Sequence, residues 1–225
     1  MNSQNAGYKE TWNALAATAE SAYAHVAGYS DEQRLKASAE TTVAGLRQTI
    51  GVHPTDTFLE IGCGVGRVGR ELAPLVAHWI GCDVSENMLQ HAQHRLQGVA
   101  NVSLTPISGY DLRPIPDRSV DAVYCTVVFM HLQEWDRYAY VCEAFRILKP
   151  GGRFFCDNAN LASDEGWNLF LASAAFPPSN RPQHLSRCST VPEIDCFLRR
   201  AGFQEVQTKT TGVWVFGWGV KPTQT

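Results

Sequence analysis

From residue 57 to residue 157 the chain alternates short apolar runs with helical stretches, and this alternation restricts the fold more than any other feature. Apolar runs fall at 57–61, 79–83, 102–105, 120–125 and 153–157, and helical patterns fill 67–76, 85–97 and 134–148. Strands separated by helices of about 10–15 residues form a parallel sheet wound on both faces. The punctuation agrees: Ser85 caps a helix, Gly98 ends it, and Pro150-Gly151-Gly152 stops the next. Beyond the fifth strand come a polar helix at 165–175 and a Pro-rich loop at 177–189. Thr190 and Glu193 then form a capping box for a helix ending at Ala201-Gly202. The last two runs, 203–209 and 213–220, have no helix between them and are expected to pair as a hairpin. The expected fold class is therefore α/β, a doubly wound, mainly parallel seven-stranded sheet with a C-terminal antiparallel hairpin.

The first fifty residues read as helical. Ser30 and Gln33 make a capping-box pattern ahead of Leu35, Val43, Leu46 and Ile50, and Gly51 with His53-Pro54 ends the region. With 44% hydrophobic and 18% charged residues the chain is not of the disordered class, and a net charge of −3 leaves no footprint for non-specific nucleic-acid or anionic-membrane binding. Its seven Cys are odd in number, widely spaced and free of any C-x-x-C, a pattern of reduced core thiols and not of disulfides or a zinc knuckle. Residues 1–5 lack the charged-then-apolar layout of a signal segment, and no run approaches the ~18 apolar residues of a membrane span. These features predict a soluble, cytoplasmic protein; they leave its oligomeric state open.

The chemically informative stretch is Leu59-Glu60-Ile61-Gly62-Cys63-Gly64-Val65-Gly66-Arg67. Glycines directly after a strand let a ligand approach the backbone closely, and in open α/β sheets ligands sit at the carboxyl ends of the strands. About twenty residues on, Asp83 ends the second strand, where a carboxylate accepts hydrogen bonds from ribose hydroxyls. Together they indicate a nucleoside-containing cofactor. Gly64-Val65-Gly66-Arg67-Val68-Gly69 formally matches the dinucleotide G-x-G-x-x-G, so an NAD(P)-dependent oxidoreductase is an alternative. Two features count against it. The match begins two residues late, since Gly62 already follows the strand, and Glu60 sets a carboxylate beside the pyrophosphate position. A cofactor bearing ammonium and sulfonium charges suits that acid better.

At this point the sequence resembles the class I S-adenosylmethionine-dependent methyltransferases. The resemblance is close over about 55–160 and rests on five ordered motifs: the glycine stretch above, the segment 81–88 from Gly81 to Met88, the segment 117–124 ending in Val123-Tyr124, Phe129-Met130-His131-Leu132, and Leu148-Lys149-Pro150-Gly151-Gly152. It implies a Rossmann-like methyltransferase fold with S-adenosyl-L-methionine as cofactor. It also implies a chain made of one domain over 1–225, with an N-terminal helical lid (1–53), a cofactor-binding core (54–157) and substrate-side helices with the terminal hairpin (158–225). By position, Glu60 with Gly62, Cys63, Gly64 and Gly66 corresponds to the methionine pocket, and Asp83 to the ribose ligand. Val84 and Met88 correspond to the adenine flanks. Ser108 and Gly109 stand where relatives often carry an acid for the adenine amine, so the serine is a departure. Cys125 and Thr126 fall beside the transferred methyl, and Tyr8 and Trp12 lie in a helix that many relatives fold over the cofactor.

The same resemblance narrows the acceptor. No Asn/Asp-Pro-Pro-aromatic motif follows the fourth strand, and Cys125 follows Tyr124 where base C5 enzymes carry Pro-Cys, so no nucleic-acid substrate is expected. Asp157-Asn158 matches one half of a catechol-type Mg²⁺ site, but residues 125–130 offer no carboxylate for the other half, so no metal is expected. The expected catalytic pair is His131 and Asp157, both beyond strand ends, acting on an oxygen or nitrogen of a small-molecule acceptor. His131 is either a general base or a packed core histidine, and Asp157-Asn158 either touches substrate or caps the next turn. A non-catalytic methyltransferase-like binding protein is the remaining alternative.

Overall fold

The computed structural model describes residues 7–28 and 30–223, so the reading of residues 1–5 lies outside the described residues. Three helices open the chain: α1 (Tyr8–Leu15), α2 (Ala19–Ala27) and α3 (Glu32–Thr49). The cap of α3 is Asp31 and not Ser30: its carboxylate accepts from Arg34 N–H at 2.8 Å. Leu35, Ala39, Val43 and Leu46 recur at helical spacing along α3 and form its buried face.

The alternating region follows as β1 (Thr57–Ile61), α4 (Arg67–Leu72), β2 (His78–Asp83), α5 (Glu86–Arg95), β3 (Val102–Pro106) and β4 (Val120–Cys125). It continues through α6 (Glu134–Ile147), β5 (Leu148–Ala159), α7 (Asp164–Ala174), α8 (Val191–Ala201), β6 (Gln204–Thr211) and β7 (Trp214–Val220). The seven strands form one sheet in the order β3-β2-β1-β4-β5-β7-β6. Strands β1 to β5 are parallel neighbours, while β7 runs antiparallel to both β5 and β6. The doubly wound sheet and its terminal hairpin are thus as the sequence predicts.

Strand alternation feeds two cores. Leu59, Val123, Cys125 and Phe154 point to one face with Tyr140, Val141, Ile194 and Leu198 of α6 and α8. Their neighbours Phe58, Ala122, Tyr124 and Phe155 point to the other, with Val43, Leu46, Val68 and Leu72 of α3 and α4. Two boundaries moved for identifiable reasons. Pro74 ends α4 early and leaves a short 3-10 turn at Ala73–Leu75, because proline brings no N–H to continue the ladder. β5 begins at Leu148, five residues before the predicted start, because Leu148 pairs with Val120 across an irregularity in the ladder. No helix among the described residues is long and apolar enough to cross a membrane.

Candidate active site

Strand order reverses between β1 and β4, and at that switch point a cleft of about 790 Å³, including its open mouth, lies beyond the carboxyl ends of the strands. Its floor is the loop after β1. Gly62 and Gly64 have φ of +71° and +52°, a left-handed backbone that side chains resist. A Cβ on Gly62 lands closer than 3.0 Å to Val128, and one on Gly64 lands 2.8 Å from Val26, both cleft-lining residues.

Glu60 is fully buried beneath this floor. Trp79 Nε1–H donates to Tyr124 Oη at 2.9 Å, and Tyr124 O–H donates to Glu60 Oε2 at 2.6 Å. Burial pushes the Glu60 carboxyl up to about 8 against the opposing pull of the Tyr124 hydrogen bond and the Arg67 charge. A cationic ligand group placed beside it would favour the charged carboxylate and offset that burial. Tyr124 was seen in the sequence only as part of a motif; nothing local marks its hydroxyl as the partner of a residue 64 positions away.

Asp83 ties the floor to the next wall. Its Oδ2 accepts from Gly64 N–H and its Oδ1 from Ser85 N–H, both at 2.8 Å. Those bonds leave lone pairs on both oxygens for further donors. Burial raises this carboxyl to about 6, with the same backbone bonds opposing. Alanine at 83 removes both bonds and the carboxylate that the sequence resemblance assigns to the cofactor ribose, so S-adenosylhomocysteine binding is expected to weaken by ~1.5–3 kcal/mol with a lower Tm. Calorimetry on the purified variant checks this; unchanged affinity assigns Asp83 to the scaffold alone.

An apolar slot adjoins Asp83, walled by Val84, Met88, Ile107 and Gly109 and closed by Tyr8 and Trp12 of α1. Polar contacts hold α1 over it. Tyr8 O–H donates to Asp136 at 2.7 Å and accepts from Gln133 N–H. Asn13 accepts from Ser85 Oγ and from Asn87 N–H beside α5.

His131 lines the same cleft. Its Nδ1 lies 2.8 Å from the His184 carbonyl, which can only accept, so the proton sits on Nδ1 and Nε2 keeps its lone pair. Burial holds the ring neutral, its pKa lowered to about 4. Trp12 packs edge-on against it with ring centroids 4.8 Å apart. The turn carrying His131 is pinned by buried Arg137, whose guanidinium donates to the Phe129, Leu132 and Arg187 carbonyls, to Ser189 Oγ and to Glu193. His184, in the 177–189 loop, thereby sets the tautomer through its carbonyl.

The cleft thus brings together Trp12, Glu60, Gly62, Cys63, Gly64, Asp83, Val84, Met88, Gly109, Thr126 and His131. Four predicted residues stand outside its lining. Gly66 is the N-cap of α4 and faces Ala92 and Leu96. Ser108 turns its hydroxyl to accept from Tyr110 and Asp111 N–H. Cys125 is a fully buried member of the core on the α6 side. Asp157 is the consequential correction. It is buried, and it accepts from Val127 N–H at 2.7 Å. Val127 has a φ of +61°, a conformation costly for a β-branched residue. Asp157 therefore braces the strained loop after β4, whose Thr126 and Val128 line the cleft, and is not itself among the cleft-lining residues.

Two buried polar atoms in the cleft wall have no partner, Thr126 Oγ1 and Arg67 Nε. Buried polar groups are normally hydrogen-bonded, so orphans that line a cleft mark groups a ligand satisfies. Sequence reasoning assigned Arg67 no role.

An α/β sheet with a glycine floor over an acid, and a second acid at the end of β2, defines a protein that binds a nucleoside-containing cofactor. Residues 59–156 match the family described as a methyltransferase domain, and they form a methyltransferase domain of the class I, S-adenosylmethionine-dependent kind. The demethylmenaquinone methyltransferase of Tropheryma whipplei is 36% identical over 104 residues, which cover 46% of this chain and 42% of that protein. The chain thus spans less than half the length of that curated relative. Among solved structures, magnesium protoporphyrin IX methyltransferase from Synechocystis with bound S-adenosylhomocysteine is similar at TM-score 0.64 and 21% identity, over 83% of each chain. A phosphoethanolamine N-methyltransferase from Haemonchus contortus is similar at TM-score 0.73 and 16% identity, over 96% of this chain and 60% of that one. At these identities the two structures speak for the fold.

Proposed function

We propose that the chain transfers a methyl group from S-adenosylmethionine to an oxygen or nitrogen of a small-molecule acceptor. The observation that carries this reading is the buried Glu60 under a positive-φ glycine floor, within the stretch that matches the methyltransferase domain. That acid suits an ammonium group and opposes the pyrophosphate of a dinucleotide. Glu60 and the 62–64 backbone hold the amino-acid end of the cofactor, Asp83 the ribose, and the Val84, Met88 and Ile107 slot the adenine. When bound, S-adenosylmethionine supplies a methyl group on a cationic sulfur, a good leaving group in a direct displacement.

The chain's own residues provide positioning, and placement alone accounts for much of the acceleration in such reactions. Helices α1 and α2, which bring Tyr8, Trp12, His25 and Val26 to the cleft, form the lid, and Trp12 orients the ring of His131. His131 Nε2 takes the proton that the acceptor loses. A general base contributes ~10²–10⁴-fold in rate. A pKa near 4 makes His131 a weak base that is always unprotonated at neutral pH, so the lower end of that range applies. His131→Ala is expected to lower kcat by about 100-fold with S-adenosylhomocysteine affinity unchanged.

The direct test is calorimetry of the purified chain with S-adenosylhomocysteine and with NADH. It is followed by a screen of oxygen and nitrogen acceptors using labelled donor and mass detection. Binding of S-adenosylhomocysteine alone and transfer of label support the reading. Binding of NADH instead, or tight S-adenosylhomocysteine binding without transfer to any acceptor tried, favours the oxidoreductase or the non-catalytic alternative respectively.

A further inference from the structure

Helix α7 turns its apolar stripe to solvent. Trp167, Phe170, Leu171 and Ala174 recur at i, i+3, i+4 and i+7, the spacing of a helix face made to be buried. All four are exposed, and the three large side chains are 48%, 39% and 48% accessible. The less exposed side of the helix is the poorer one: it carries Gly166, Leu169 and Ser173, of which only Gly166 is buried. Trp167 and Phe170 stack on each other with ring centroids 5.1 Å apart, and Phe176 adds a further exposed ring just past the helix. Among the described residues six large apolar side chains are exposed, and four of them fall within 167–176, so the patch is concentrated on this one element. Trp167, Phe170, Leu171 and Phe176 do not line the cleft, so ligand binding there does not account for them.

Charge and area identify what covers the stripe. From Gly166 to Asn180 the sequence holds no charged residue. Asp164 and Glu165 stand at the amino end of α7, and Arg181 follows its carboxyl end, where Nε donates to the Phe176 carbonyl at 3.3 Å. Among the described residues none of these three forms an ion pair. Two copies of α7 laid antiparallel about a two-fold axis bring the acids of each to the arginine of the other, twice per dimer, and set the two helix dipoles against each other. An anionic lipid surface would instead meet two like charges and a single cation. At their observed exposure the four large side chains offer roughly 300–400 Å² on each copy, taking ~150–250 Å² for a whole aromatic side chain. Two copies together give roughly 600–800 Å², about half of a standard interface, before the alanines, prolines and charged rim are counted. We propose that α7 is the seam of a symmetric homodimer, in which its apolar stripe packs on the same stripe of a second copy and Asp164 and Glu165 face the partner subunit's Arg181. The seam is independent of what the cleft binds.

The test is sedimentation equilibrium of the full chain over a range of micromolar concentrations, with each variant first shown to melt like wild type. Wild type is expected to pass from one chain to two as concentration rises, and to stop at two because an isologous contact closes on itself. Leu171→Glu sets two carboxylates against each other across the axis and is expected to weaken the dimer by at least ~30-fold, the effect of losing a central interface residue. Arg181→Glu is expected to weaken it by roughly 5-fold, since each rim pair occurs twice. Adding Asp164→Lys and Glu165→Lys to Arg181→Glu is expected to restore it, which only the antiparallel arrangement predicts. A wild type that stays monomeric, or that grows beyond two chains, overturns the proposal. A dimer undiminished in Leu171→Glu also overturns it, as does a loss in Arg181→Glu that the reversed acids do not repair. Flotation of the monomer with phosphatidylcholine vesicles, lost in Leu171→Glu, assigns the stripe to a lipid surface and overturns the dimer. Leu171 and Arg181 are exposed, so both variants are expected to fold, and Leu171→Glu decides even if the triple variant does not.

Discussion

Alanine at Gly62 is expected to cost about 2–5 kcal/mol of stability and to block the floor of the cleft. Two effects add. The backbone there sits at φ +71°, where an L side chain costs about 1–2 kcal/mol. The new Cβ also falls closer than 3.0 Å to Val128 Cγ2 and 3.2 Å from its Cγ1. Val128 cannot step aside cheaply: its χ1 is stiff, and the loop before it is strained at Val127 and braced by Asp157. Overpacking of this kind costs about 1–3 kcal/mol. Gly98→Ala is the matched control, because Gly98 also has positive φ, +85°, but nothing within 4 Å of its Cβ position. Urea denaturation of both variants separates backbone from steric cost. A Gly62 variant no less stable than the Gly98 variant refutes the close packing of Val128 over the glycine floor.

Stability of the cofactor-free protein is expected to fall as pH rises from 6.5 to 8, by about 2 kcal/mol on account of Glu60. A carboxyl whose pKa is higher folded than unfolded binds more protons in the folded state, so stability declines as pH rises between the two values. Glu60 spans 4.5 to about 8, Asp157 3.8 to about 7 and Asp83 3.8 to about 6, each raised by burial. His131 acts in the opposite sense. Burial lowers it from 6.5 to about 4, so the unfolded state binds more protons across that window and stability rises with pH there. Its effect, and that of His184, also lowered by burial, is mostly spent at pH 6.5 and complete by about pH 7.5. Across the window from pH 6.5 to 8 the raised carboxyls therefore dominate. The part of the Glu60 shift that remains is worth about 1.4 kcal/mol per unit. Glu60→Gln keeps the shape without the titration, so its stability between pH 6.5 and 8 is expected to be flatter. Parallel slopes for wild type and Glu60→Gln in urea melts at several pH values contradict the assignment.

Much of the molecule was legible in the chain because its signals are local. The strands at 57–61 and 120–125 fall where the apolar runs place them, since a buried parallel strand must be apolar along its length. The glycine floor was legible for a similar reason: successive glycines after a strand answer a backbone need that neighbouring residues alone define. Asp83 and Glu60 were identified by their distance from those glycines, and both line the cleft.

What the tertiary structure decided is the partnership of each polar group. The sequence by itself placed His131 and Asp157 alike beyond the ends of adjacent strands. Packing separated them: Asp157 turned to the strained Val127 N–H, while the His184 carbonyl, 53 residues away, left His131 Nε2 free in the cleft. Arg67 looked like the end of a motif, and only the packing shows that its Nε is left without a partner in the cleft wall. Strand position follows from hydrophobic periodicity, which short windows of sequence carry. Hydrogen-bond partners and desolvation follow from which distant segments meet, and that is settled only when the sheet closes and the 129–132 and 184–189 segments pack together.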